Sequence, residues 1–409
     1  MVSCRKDVSV PNSDNAKVSK KGIVPIEVAR DIANDFFNMN SGGKMANKTV
    51  ASEETLSENA QPFIYLFNYK NGGFLILSAE YGQIPILAYS DKNNFDTKQP
   101  INQGLGLWLR SMRDQIYLMR QDSLAPHEAA SNLWQSYSNH SYQFESSANS
   151  FSTLTKNGQE VQLRDNYRDD TNNACSRYSW SRYLLNPLLQ TEWSQGCGYN
   201  NLCPEFSTST SCGRAPTGCV ATAMAQVIRF HEFPTDRWNY SLMPSILWCW
   251  SGGSCATDES ELAKLMHDSG RFLGMNYGAE ASGANTNFIT STLVFFGYPN
   301  TMSYTSLSGP LRDSGIEGDL DARQPVILDG YNSYTSFLWF RQYREGHAWV
   351  CDGYDISTHP CYPSLKSYAM NWGWNGGGNG YYSVPASTGT TQPYNFQYAM
   401  SKLTGIQHP

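Results

Sequence analysis

The stretch "APTGCVATAMAQVIRFHEFP", residues 215–234, sets one cysteine, Cys219, between a Thr-Gly turn and an alanine-rich apolar run. Beyond that cysteine, Val220, Ala223, Met224, Val227 and Ile228 recur at the spacing of a helix with one face in a core. Pro234 supplies the stop. Thr217 is the expected N-cap, and Gly218 lets the chain approach its neighbours closely. Cys219 then falls in the first helical turn. Unpaired backbone N–H groups and the positive end of the helix dipole favour a thiolate there. The thiolate is the reactive form of cysteine, so Cys219 is a candidate nucleophile. A structural cysteine is the competing reading, and position alone does not separate the two.

A nucleophilic cysteine needs a base, normally histidine. The chain has 7 histidines, and all but one lie in polar loops, helices or the tail. His347 differs: it follows Gly346 and opens the alternating strand "GHAWVCDGYD", residues 346–355. A histidine at a strand start is held by the sheet and can face a cleft. The run "AMNWGWNGGGNGYYSV", residues 369–384, offers an orienting group, because the Asn371 amide oxygen could accept from the second imidazole nitrogen. Trp372 and Trp374 could shield the pair from water, and the glycines between them and Tyr381 suit a loop that approaches a substrate backbone. No GK[ST] follows, so this is not a phosphate loop. Gln195, in "TEWSQGCGYNN" (191–201), could donate to a developing oxyanion together with a backbone N–H at the helix start, that of Cys219.

At 409 residues the chain is long enough for two or three domains, and 40 % hydrophobic residues make it globular. A net charge of −6 without a long basic stretch argues against nucleic acid as a partner and leaves membrane-surface attraction weak. No apolar run approaches the roughly 18 residues of a spanning helix. Of 10 cysteines, setting aside Cys4 and Cys219 leaves eight, consistent with up to four disulfides. Cys249/Cys255 and Cys351/Cys361 are close in sequence, as loop-closing pairs often are, but eight cysteines allow about 105 pairings. Such a count favours an oxidising, exported location. No CxxC or HExxH motif is present, so no metal is expected. The start "MVSCRKD" reads in two ways. It is either what remains when a lipoprotein signal is trimmed before a lipid-bearing Cys4, or an incidental cysteine in a polar tail.

The periodicity predicts a helix in "VPIEVARDIANDFFNMN" (24–40) and a hairpin in "FIYLFNYKNGGFLILSAE" (63–80), turning at Asn71-Gly72-Gly73. "IPILAYS" (84–90) extends the sheet, and "GLWLRSMRDQIYLMRQ" (106–121) returns to helical period. The first 125 or so residues thus form a small α+β unit. The polar stretches at 124–132 and 167–179 suit proteolytic cutting. From about 184 to 300 the chain reads as helices and loops, and after "QPVILDGY" (324–331) as strands. That order suggests an α+β domain with two unlike halves.

Taken together, "TGCVATAMAQVIRFHEFP", "GHAWVCDGYD" and "NWGWNGGGNGYY", in that order, resemble the streptopain family of papain-like cysteine peptidases. Weaker matches are "WSQGCGYN", "MNYGAEASGA" (275–284) and "RQPVILDG"; the stretch "YLFNYKNGGFLILSAEYGQIPILAYSDKNNFD" looks like the family's propeptide. The resemblance implies a papain-like catalytic domain, a helical half plus an antiparallel β half, at 186–409. An inhibitory propeptide would occupy 23–165, a cleavable linker 166–185 and a disordered tail 1–22. It further implies Cys219 as nucleophile, His347 as base, Gln195 and the Cys219 N–H as oxyanion hole, and Asn371 and Trp372 in the orienting loop. Trp374, Tyr277, Ser282, Gly283 and Gly346 would line the substrate cleft. No cofactor is implied. The partners would be protein or peptide substrates, the chain's own propeptide and an activating protease. Two departures from the family type stand out: added disulfides near the site, from Cys197, Cys203 and Cys212, and an insertion, "TSFLWFRQY" (335–343), placed to cover the cleft. A thiol acyltransferase or amidase, and a non-catalytic disulfide-rich surface binding protein, remain open alternatives.

Overall fold

The computed structural model describes residues 22–40, 48–98, 103–141, 144–146, 179–247, 260–307, 311, 314–337, 340–384 and 398–409. Helix α1 (Ile26–Asn40) leads into an antiparallel meander of β1 (Val50–Glu58), β2 (Gln61–Tyr69), β3 (Phe74–Ser78) and β4 (Ile86–Ser90). The β2–β3 turn is the predicted one, with Asn71, Gly72 and Gly73 all at positive φ. Helices α2 (Gln103–Arg120) and α3 (Ala130–Ser138) follow. Both faces of this sheet are covered, which is why β3 is buried throughout rather than alternately. Tyr65, Phe67, Leu75 and Leu77 share a core with α1 and α3, whereas Ile64, Leu66, Phe74 and Ile76 share one with α2.

The rest of the chain comprises β5 (Phe144–Ser146), β6 (Trp180–Leu185), α4 (Cys219–His231), α5 (Glu261–Phe272), α6 (Phe288–Phe295), β7 (Ser303–Ser306) and α7 (Glu317–Asp321). After these come β8 (Val326–Phe337), β9 (Phe340–His359), β10 (Tyr362–Asn371), β11 (Gly380–Ser383) and β12 (Tyr398–Thr404). Helices thus precede a mainly antiparallel set of strands, the expected α+β order. A single sheet runs through both parts of the chain in the order β1-β2-β3-β4-β11-β10-β9-β8-β12-β7. The joint is β4 against β11, with Ala88 opposite Tyr382 and Tyr89 opposite Tyr381. A second tie crosses the same joint: Arg182 on β6 makes a two-pronged ion pair with Asp355, which also accepts from the Tyr89 hydroxyl at 2.7 Å.

Strands β8 and β9 separate two cores. Ile327, Ala348 and Val350 face α4, α5 and α6; Val326, Leu328, Trp349 and Cys351 face α2. The described residues of the insertion, 335–337 and 340–343, pair at the outer ends of β8 and β9, with Thr335 opposite Gln342 and Phe337 opposite Phe340. Among the described residues, no helix is long and apolar enough to cross a membrane.

The cysteines depart from expectation. Cys197 and Cys212 form a disulfide, whereas Cys203 and Cys351 are free and buried. Cys361 is disulfide-bonded, so its partner is not Cys351. Eight half-cystines in four bridges are therefore excluded. Cys351 lies within β9 and points into the core under α2, where a thiol packs as a small hydrophobe. From there β9 runs on to His359, about 25 Å along an extended strand, before Cys361 is reached. Cys4, Cys175, Cys249 and Cys255 lie outside the described residues, as do positions 1–21 and 166–178.

Candidate active site

Helix α4 begins at Cys219, as its spacing predicts, but Gly218 rather than Thr217 takes the N-cap position. Gly218 has φ +87°, and a Cβ there would lie 2.7 Å from Met275 Sδ and 3.0 Å from the Ser282 carbonyl oxygen. Both the backbone and the space demand glycine. Thr217 is buried, with its hydroxyl 2.9 Å from that of Thr222, which donates to the Gly218 carbonyl at 3.0 Å. No side chain caps the helix, so its first-turn N–H groups stay available beside Cys219. Behind them every residue from Val220 to Ile228 is buried, which fixes the turn rigidly.

His347 stands opposite Gly330 near the base of the β8–β9 hairpin. Its Nε2 is 2.9 Å from the backbone oxygen of Trp372. A carbonyl only accepts, so Nε2 carries the hydrogen and Nδ1 of the neutral ring is an acceptor. The imidazole is therefore oriented by a main-chain oxygen and not by the Asn371 amide. Asn371 Nδ2 donates to the Thr191 carbonyl at 2.7 Å, and its Oδ1 accepts from Gln226 Nε2 at 3.3 Å and from the Gly373 N–H at 3.2 Å. Gln226, on α4, accepts in turn from the Trp193 N–H at 3.2 Å. Asn371 thus stitches β10 to the nucleophile helix and to the segment that carries Gln195. Trp372 is fully buried, its indole N–H donating to Gly378 at 3.1 Å and its backbone N–H to Asn379 Oδ1 at 3.0 Å.

Cys219 and His347 line one cavity of about 420 Å³. Three of the expected cleft residues, Ser282, Gly283 and Gly346, line it as well. Tyr277 does not: its hydroxyl end packs over Gly270, beside the Cys203 thiol. Trp374 also lies outside it, at the surface with 38 % exposure. The Gln195 carbonyl accepts from the Thr217 N–H at 2.9 Å, which locks its main chain to the turn before Cys219. Its side chain is half-buried and does not line this cavity. Several polar cavity residues escaped the sequence reading, among them Asn285, Thr286, Asp329 and Tyr331. The available signal was Asp329 itself, a carboxylate closing the apolar run "PVIL".

The electrostatics are those of a covered site. Burial pushes the Cys219 thiol up, against the favourable N–H groups of Ala348, Val220 and Cys219 itself, and Asp329 adds to the rise. Burial likewise lowers His347 to about 4, although the Trp372 carbonyl works the other way. The cover is α2. A Cβ on Gly104 would lie 2.9 Å from His347 Cδ2 and 2.8 Å from Trp372 Cζ3, so the first turn of α2 rests directly on the imidazole. With His347 only 5 % exposed, a thiolate–imidazolium pair is disfavoured on both sides.

Residues 193–382 match the Peptidase C10 family, and residues 16–116 match the Spi protease inhibitor family. Streptopain of Streptococcus pyogenes is 22 % identical over 401 residues, which cover 88 % of this chain and 79 % of that one. The thiol protease/hemagglutinin PrtT of Porphyromonas gingivalis is 22 % identical over 368 residues, 82 % of this chain and 36 % of that protein. Among solved structures, a prointerpain A fragment of Prevotella intermedia has a similar fold, with a TM-score of 0.55 at 22 % identity over 88 % of this chain and 99 % of that one. An inhibitor-like unit is laid over a unit that matches the Peptidase C10 family along one sheet, and the chain is a cysteine endopeptidase of zymogen-type architecture.

Proposed function

We propose that the chain hydrolyses peptide bonds through a thioester on Cys219, with His347 as general base and then general acid. The carrying observation is the cavity shared by Cys219 and His347, with the imidazole held through Nε2 on the Trp372 carbonyl. In this reading Nδ1 takes the thiol proton as sulfur attacks the scissile carbonyl, then returns it to the leaving amine. The developing oxyanion is received by the Cys219 backbone N–H and by the Gln195 side chain, once that side chain turns to the cleft. Water then cleaves the thioester, and no metal or organic cofactor takes part. Asn371 acts as scaffold for the Trp372 carbonyl.

The same reading makes residues 23–165 the propeptide, 166–185 the segment that is cut and 186–409 the enzyme, with 1–22 a tail. Latency follows from α2 burying His347, and activation requires an activating protease or self-processing between about 125 and 185. The protein would act outside the bacterial cytoplasm, secreted, periplasmic or held by a lipid on Cys4. The test is Cys219→Ala in the full chain, treated with trypsin and followed on a gel and with peptide substrates. Wild type should gain activity as it shortens, while the variant is cut by trypsin and stays inactive. Peptidase activity in the variant would remove Cys219 from the mechanism, and full activity of the uncut wild-type chain would remove the zymogen.

A further inference from the structure

The cavity beside Cys219 holds a charge that the hydrolytic mechanism does not use. Asp329 sits on β8 opposite Ala348, on the face that looks toward α4. It is 3 % exposed and lines the cavity with the two candidate catalytic residues. Its Oδ2 accepts from the Tyr304 hydroxyl at 2.7 Å. Its Oδ1 is buried and has no hydrogen-bond partner among the described residues, and no cation pairs with it there. Burial pushes the carboxyl up, although hydrogen-bonding influence from the Thr286, Tyr304 and Ser401 hydroxyls and the Ser401 backbone works the other way.

A buried carboxylate with no countercharge among the described residues is costly, and folded proteins seldom keep one without a use. Asp329 lines the same cavity as Cys219, so a side chain of a peptide seated there comes close to this carboxylate. A donor that also carries positive charge satisfies Oδ1 and neutralises the buried anion in one contact. Resting on the peptidase reading above, we propose that Asp329 is a specificity-determining residue. It selects substrates with a lysine or arginine side chain close to the scissile bond. A bound cation would also cancel the upward push that Asp329 exerts on the Cys219 thiol.

The experiment uses the full chain, processed until hydrolysis stops rising. Fluorogenic peptides vary each of the three residues flanking the scissile bond among Arg, Lys, Gln, Leu and Val. At one position, kcat/KM for Arg or Lys should exceed that for Leu or Gln by about tenfold or more. Asp329→Asn should collapse that ratio toward unity, with Asp329→Ser as the second variant if the first fails to fold. Hydrolysis without a basic preference, a preference for Gln over Lys and Arg, or a ratio that survives both variants would overturn the inference alone. Failure of wild type to cut any of the peptides would overturn the peptidase reading along with it.

Discussion

Helices α2 and α4 lie on opposite faces of the same two strands, and each starts with a glycine pressed against the site. Gly218 turns the chain so that α4 presents Cys219; Gly104 lets α2 settle on His347 and Trp372. Their outer faces differ. Helix α4 is buried from Val220 to Ile228, so it is interior to the enzyme. Helix α2 buries Leu105, Leu107, Trp108 and Met112 but leaves Arg110 and Tyr117 in water. It is a surface-laid amphipathic helix, with a wet side and a dry side. The difference teaches how latency works here. Under the proposed mechanism, the nucleophile is built into a core that cannot be dismantled without unfolding, whereas the base is silenced by a helix whose removal leaves that core in place.

The largest effect should come from acid, because the two helices respond to it unequally. Under α2, His347 titrates at about 4; in water an imidazole titrates near 6.5. The uncovered state therefore takes up the proton first. Docking of α2 keeps its full strength above about pH 6.5 and loses it progressively as pH falls through about 4, by on the order of 3 kcal/mol. Hydrogen exchange of the α2 amides in the uncut chain, corrected for intrinsic rates, should accelerate over that range while the α4 amides stay protected. His347→Gln should flatten the α2 response. Equal loss of protection in both helices would mean that acid unfolds the chain and not the lid.

Next in size is a pair of overpacking substitutions, one on each helix. Ala225 in α4 is fully buried, and Ala225→Leu should cost about 2 kcal/mol of global stability, read as a lowered Tm together with lost activity. Gly104→Leu forces a similar clash, but only on the docked state of α2. Alkylation of Cys219 in the uncut chain should then quicken by about tenfold or more, and the processed enzyme should match wild type. If Gly104→Leu lowers the Tm of the processed enzyme, α2 is as much a part of the fold as α4.

The same contrast marks what the sequence could disclose. Helix α4 and the Asn71–Gly73 turn rest on local patterns of period and turn chemistry, and these fix them whatever surrounds them. The alternation at 346–355 marks a strand too, but β9 already begins at Phe340, so His347 sits within it and does not open it. The β4–β11 joint depends on two edges more than 290 residues apart in the chain meeting with Tyr89 beside Tyr381, and no local pattern encodes it. The docking of α2 reads in sequence only as an amphipathic helix; what its dry side covers is a tertiary fact. The N-cap assignment failed because Thr217 spends its hydroxyl on Thr222 inside the core. The orienting group was legible only as far as the Asn371-Trp372 loop. A backbone carbonyl has no signature, since every residue owns one, so the sequence offers the Asn371 amide as the visible acceptor while the contact in the structure is to the Trp372 carbonyl.

That last point carries the smallest expected effect on chemistry and the sharpest discrimination. If Asn371 is scaffold, Asn371→Ala leaves the Nε2–H bond to the Trp372 carbonyl intact. It strands the Thr191 carbonyl and the Gln226 amide in a buried place, which costs about 1–3 kcal/mol of stability. The processed enzyme should show a lowered Tm, a kcat/KM reduced by less than about tenfold and an unmoved acid limb of the pH–rate profile, because no bond to the imidazole is lost. If the Asn371 side chain instead orients the ring on activation, the same variant should lose about a hundredfold or more in kcat/KM and shift that limb. Asn371→Asp sharpens the choice further. Placed against Gln226 and the Gly373 N–H, the new carboxylate keeps two donors but faces the Thr191 carbonyl without one. A scaffold residue should therefore pay in stability that falls as the aspartate ionises, whereas a carboxylate on His347 would raise the imidazole pKa and move the acid limb upward.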